Sequence, residues 1–252
     1  MDKPTSLEMM SKPFDWIEIP GGEGILKTNK ANHTLDIPKE SYRIAKYPVT
    51  NRQYGHFVEL DGYSTDKWWT KQGIEAREKY QWTEPRYWKE EDFAGADKPV
   101  VGISWYEAVA FCLWLSDVTG EWIMLPTEAQ WQYAAQGTDG RIYPWGDILR
   151  GNECKNYGII DEGVGLTRPV NYYEGIGDSA FGVVDMAGNV WEWCLTNPWF
   201  VKSSDFDTDG RKRVIRGGSW DDYETVIFQC DYHVPKLSHE ADNNLGFRIA
   251  RL

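Results

Sequence analysis

Two capping boxes are the firmest local instructions in this sequence. Ser104 is followed three residues later by Glu107, and Thr127 by Gln130. In each pair the hydroxyl and the longer side chain can satisfy backbone N–H groups that a helix start leaves free. The apolar run AVAFCLWLSDVTG after the first box predicts a helix stopped by Gly120. The second box predicts a helix through Ala135, with Gly137 as its C-terminal signal. A third start is expected at Thr50 or Asn51, ahead of Tyr54, Phe57 and Val58 on one face. Elsewhere the patterning supports only short strands: Phe14–Ile19, ended by Pro20-Gly21-Gly22, then a stretch around His33–Ile37, then Tyr42–Ala45. Residues 61–99 read as irregular, and from Gly146 onward short strands alternate with turns and glycine pairs. A few helices among scattered strands, without a βαβ series, define an α+β chain with little regular structure. With no internal repeat or linker, residues 14–252 are expected to form one domain behind a leader at 1–13.

Such a chain needs bulky side chains to hold its loops, and it has them: 14 Trp, 14 Tyr and 9 Phe in 252 residues. The formal charge of −12 makes nucleic acid and anionic membrane surfaces poor partners and suits cations, Ca2+ in particular. Cys112, Cys154, Cys194 and Cys230 match neither a zinc nor a redox spacing, so buried reduced thiols are expected. The first residues show no apolar signal core, and no run has the length of a membrane span, which sets the expectation of a cytoplasmic protein.

Five stretches carry a resemblance. They are Tyr47-Pro-Val-Thr-Asn-Arg-Gln-Tyr54; Pro99-Val-Val-Gly-Ile-Ser-Trp105; Leu125-Pro-Thr-Glu-Ala-Gln-Trp131; Gly182-Val-Val-Asp-Met-Ala-Gly-Asn-Val-Trp-Glu-Trp193; and Arg216-Gly-Gly-Ser-Trp220 with Asn244-Leu-Gly-Phe-Arg248. In this order they resemble the formylglycine-generating enzyme/sulfatase-modifying factor family across nearly the whole chain. The resemblance implies a C-type-lectin-like fold. That fold is shared with the variable proteins of diversity-generating retroelements and with the C-terminal part of ergothioneine-pathway enzymes.

The resemblance also implies where chemistry should be sought. The family oxidises a substrate cysteine with a copper-binding cysteine pair placed just after Gly-Gly-Ser-Trp. Here the matching positions are Asp222 and Ile227. Neither is a soft ligand for Cu(I), so no copper and no formylglycine-generating activity are expected. Two usually basic positions read Gln229 and His233. The family's structural Ca2+ site maps onto the side chains of Asp185 and Glu192 and the carbonyls of Gly188 and Val190, all hard oxygen donors. A second family site would fall at Asn156, the carbonyl of Tyr157, and Asp161 or Glu162.

Three further features stand out. Asp205-Phe-Asp-Thr-Asp-Gly210 opens like an EF-hand loop, but its twelfth position is Arg216 where Glu is required, so it reads as a solvated acidic turn. Asp231, His233 and His239 have the ligand types of a non-haem Fe(II) triad without a known spacing, and surface loop residues are the plainer interpretation. Between the family anchors, Trp220, Asp221, Asp222, Tyr223, Thr225, Ile227, Asp231, Tyr232, His233 and His239 mix rings with adaptable polar groups, as binding faces do. The leading expectation is a non-oxidase domain that presents residues 220–243 to a protein or small ligand. An enzyme with altered, iron-dependent oxidative chemistry and an adaptor subunit are its rivals.

Overall fold

The computed structural model describes residues 14–29, 34–149, 151–154, 166–196 and 212–251. Four α-helices are present among them: α1 (Asn51–Glu59), α2 (Lys71–Tyr80), α3 (Trp105–Thr119) and α4 (Glu128–Gln136). Ten short strands accompany them: β1 (Trp16–Ile19), β2 (Ile25–Lys27), β3 (Thr34–Asp36), β4 (Tyr42–Ala45), β5 (Ile123–Met124), β6 (Trp191–Trp193), β7 (Lys212–Arg216), β8 (His233–Leu237), β9 (Leu245–Gly246) and β10 (Ala250–Arg251). They form a sheet of order β1-β4-β10-β5, a β2-β3 ribbon, and a sheet of order β8-β7-β6-β9 in which β6 and β9 run parallel. The α+β expectation holds.

The predicted caps are formed. Ser104 and Glu107 exchange hydrogen bonds at the start of α3, as do Thr127 and Gln130 at α4; Thr50 makes a third box with Gln53 at α1. Gly120 closes α3 in the left-handed conformation. The helix α2, in the stretch that reads as irregular, is a departure from expectation. Its sequence KQGIEAREKY buries only Gly73, so no apolar stripe announces it. It is capped by Thr70, whose hydroxyl accepts from Gly73 N–H at 3.0 Å, and it packs against α3.

The centre of the molecule is aromatic. α3 is buried along most of its length, and Phe111 stacks on Tyr54 at 5.2 Å while meeting Phe57, Trp114 and Phe247 edge-on or tilted. Such offset contacts add to the apolar burial of each ring. All four cysteines are buried, and burial pushes the thiols of Cys112, Cys194 and Cys230 up, which keeps them protonated and inert.

Candidate functional site

The loop before β6 is built around three demands on its backbone. Asp185, Gly188 and Asn189 all take left-handed φ values of 59°, 71° and 58°, a conformation that Gly, Asn and Asp tolerate best. The resulting coil brings Asn189 Nδ2 to Asp185 Oδ2 at 2.7 Å. Asp185 Oδ1 is buried and has no hydrogen-bond partner. Burial pushes this carboxyl up to about 8, against the hydrogen bond from Asn189 and the charge of Arg248. A buried carboxylate oxygen without a partner is what a hard cation would satisfy.

Glu192 is placed differently. Arg248 donates from Nε to Oε2 at 2.6 Å and from Nη2 to Oε1 at 2.7 Å, while Trp131 Nε1 donates to Oε2 at 2.7 Å. Its charge is already matched in a fully buried fork. Of the side chains that the family resemblance assigns to calcium, Asp185 thus keeps an open oxygen, whereas Glu192 is engaged on both. Asn156, Tyr157, Asp161, Glu162 and the acidic turn at 205–210 lie outside the described residues.

The segment after Arg216-Gly-Gly turns inward. Gly218 has φ +73°, and a Cβ there would stand 2.8 Å from Ile227 and 2.9 Å from Phe228. Asp222 folds back to accept from Ser219 N–H at 2.8 Å and Ser219 Oγ–H at 2.6 Å, and burial raises its pKa. Ile227 packs on the main core and Phe228 is buried. At the two positions that the resemblance assigns to the cysteine pair, then, stand a carboxylate held by its own turn and a core hydrocarbon. Asp221, Tyr223 and Thr225 are exposed, Trp220 packs on Phe93, and Tyr232 packs on Trp191.

Asp231, His233 and His239 have separate surroundings. His233 is buried, with Nδ1 3.0 Å from Glu128 Oε1, and that oxygen also receives Arg216 Nη2 at 2.6 Å. His239 lies flat on Tyr80, ring centroids 5.3 Å apart and planes 11° from parallel. Asp231 is half-buried, and burial raises its carboxyl. Among the described residues no three His, Cys, Asp or Glu side chains group as metal ligands. These separate placements do not bring the three side chains together as an iron triad.

Of the three, His239 lines a groove. Residues 80–86 and 239–242 enclose a cavity of about 540 Å3. One wall arises because Gln81, at φ +54°, ends α2 and directs its N–H back to Arg77 and Glu78 carbonyls. Trp82 then stacks on Tyr80 at 5.4 Å and 20°. The other wall is the turn after β8, fixed by Trp105 N–H donating to the Ser238 carbonyl at 3.0 Å. Gly102 joins the two: its N–H donates to the Asp242 carbonyl and its own carbonyl accepts from Arg86 N–H. Glu84, Glu240 and Asp242 supply carboxylates to the lining. Sequence reasoning had His239 and missed Tyr80, Trp82 and Glu84, because nothing local signals that residues about 160 apart will face each other.

Short strands, capped helices and long connecting loops around an aromatic centre define a C-type-lectin-like α+β domain. Solved structures with this arrangement include PvdO from Pseudomonas aeruginosa, at TM-score 0.73 and 21% identity over 95% of each chain. Treponema denticola variable protein 1 is another, at TM-score 0.68 and 20% identity over 94% of this chain and 95% of that one. Residues 6–252 match the sulfatase-modifying factor enzyme 1-like domain, and the chain belongs to that FGE-sulfatase family. It is 33% identical to hercynine oxygenase of Mycobacterium tuberculosis over 77% of this chain and 48% of the relative. It is 25% identical to the inactive C-alpha-formylglycine-generating enzyme 2 of Bos taurus over 93% of this chain and 87% of the relative. The chain spans about half the length of the hercynine oxygenases it matches. No helix among the described residues is long and apolar enough to cross a membrane.

Proposed function

We propose that this chain is a ligand-recognition domain from the oxygenase-like side of its family, holding a small molecule for oxidative chemistry whose metal is not held by Asp231, His233 and His239. The groove between residues 80–86 and 239–242 carries this reading: it is concave, ring-lined and furnished with a few convergent polar groups, the usual character of a ligand site. The identity to hercynine oxygenases supports the chemistry; the match to about half their length supports a division in which other residues supply the reacting centre. Asp222 and Ile227 support the loss of cysteine oxidation. Calcium, where bound, would be held by Asp185 Oδ1 with the carbonyls of Gly188 and Val190, and would supply fixed positive charge to the loop.

A thermal-shift screen of amino-acid-derived small molecules, hercynine included, tests the reading. It expects a compound that stabilises the protein and loses its effect in Trp82→Ala. If every stabilising compound acts equally on the Trp82→Ala protein, the groove is not the site. A second reading, recognition with no chemistry at all, draws support from the likeness to the inactive formylglycine-generating enzyme 2.

A further inference from the structure

The geometry points to a guanidinium as the group this groove takes, presented by a small molecule or by an arginine side chain; the inference rests on the recognition reading above. The first ground is the shape of the lining. Trp82 and His239 each stack near-parallel on Tyr80, so the three rings share one orientation and offer a flat aromatic surface only at the faces they do not cover in one another. A guanidinium is planar and weakly hydrated, so it lies on such a surface and directs its N–H groups sideways. The chain's own Lys79 Nζ sits 4.8 Å from the Tyr80 centroid, so these rings already attract a cation.

The second ground is the sign of the charge around that surface. Glu84, Glu240 and Asp242 line the groove beside one lining cation, Arg86, whose guanidinium is drawn over Tyr87 at 5.5 Å, with Lys79 at its edge over Tyr80. The carboxylates are held meanwhile by lysines from outside: Lys89 on Glu84, and Lys236 on Asp242 and Glu240. The Lys89 pair is open to solvent and contributes little, whereas Lys236 is half-buried, so a guanidinium would have to displace it from Asp242 and Glu240. A tetraalkylammonium would find the rings but bring no N–H donor to these oxygens. A guanidinium uses both, with bidentate geometry to a carboxylate. The cavity, about 540 Å3, admits the head and several carbons of its stem.

Calorimetric titration tests this with N-acetyl-argininamide, its neutral isostere N-acetyl-citrullinamide, and tetramethylammonium. The arginine probe should saturate and bind at least tenfold more tightly than either of the others. Trp82→Ala and Asp242→Asn should each weaken it several-fold while circular dichroism stays that of the parent protein. A Gly-Arg-Gly peptide tighter than the amide assigns the guanidinium to a polypeptide; equal affinity assigns it to a small molecule. Citrullinamide binding as tightly as argininamide overturns the inference, as does a Trp82→Ala protein of unchanged affinity. Should no arginine probe bind while compounds from the screen still depend on Trp82, the guanidinium falls and the recognition reading stands. If nothing depends on Trp82, both fall.

Discussion

Gly102 donates its N–H to the carbonyl of Asp242 across 140 residues of sequence, at 3.0 Å. Through its own carbonyl it accepts from Arg86 N–H at 3.1 Å, so a single residue ties both walls of the groove together. Its φ is +72°, and a Cβ there would approach Tyr87 Cδ2 to 2.7 Å and Tyr87 N to 3.0 Å. Gly102→Ala should therefore lower stability by about 2 kcal/mol. It should also weaken any groove ligand more than Gly120→Ala does. Urea denaturation and ligand titration of the two variants measure this, with Gly120, whose added Cβ meets nothing within 4 Å, as the control for left-handed strain alone. Equal ligand affinity in both variants would show that the Gly102 tie does not shape the groove.

Arg248 and Glu192 define the most vulnerable point of the fold. Both are fully buried, and Arg248 also donates to the carbonyls of Ala45, Lys46, Val184 and Asp185. Removing one partner leaves an uncompensated buried charge, which costs about 3–5 kcal/mol. Arg248→Met should lose that much in urea denaturation. Arg52→Met, which breaks the exposed pair with Asp97 at 3.0 Å, should change stability by less than about 1 kcal/mol.

Glu107 predicts a pH dependence. Burial pushes its carboxyl from 4.5 up to about 7, despite hydrogen bonds from Tyr63 at 2.5 Å and Ser104 N–H at 2.8 Å. The folded state holds this proton more tightly than the unfolded chain does. Its contribution to stability is therefore full below about pH 4.5, declines as pH rises toward 7, and levels off above, a span of about 3 kcal/mol. Glu107→Gln, which imitates the protonated acid, should flatten the profile in that window. Urea midpoints at pH 5 and pH 8 for the two proteins give the comparison, and parallel profiles would remove Glu107 as the cause.

The loop at Asp185 should respond to calcium. Adding Ca2+ to EGTA-treated protein should raise Tm, because a ligand bound only by the folded state stabilises it. Asp185→Asn cannot ionise to meet the cation at the side chain whose Oδ1 has no partner, and should abolish the rise. An identical rise in the variant would place the ion elsewhere.

How much of this the sequence disclosed follows from the range of the interactions. Ser104 with Glu107, Thr127 with Gln130, and the strand at Tyr42–Ala45 depend on neighbours a few residues away, and each formed where local chemistry placed it. The α2 helix did not show, because Gly73 and its charged neighbours give no apolar face; its cap and its packing on α3 decide it. Nor did the buried trio of Glu128, Arg216 and His233, which joins two helix and strand ends 88 and 105 residues apart. His233 and His239 are six residues apart, yet one is sealed against Glu128 and the other lies on Tyr80, a distinction only tertiary packing could make.

The central claim is that this chain recognises a ligand without building a metal centre from its own histidines. Metal analysis of protein loaded anaerobically with Fe(II) and desalted tests it most directly, beside His239→Ala, whose side chain is partly exposed and whose loss leaves the core intact. Far less than one iron per chain, unchanged in the variant, is the predicted result. One iron per chain in the parent protein, lost in His239→Ala, would contradict the account.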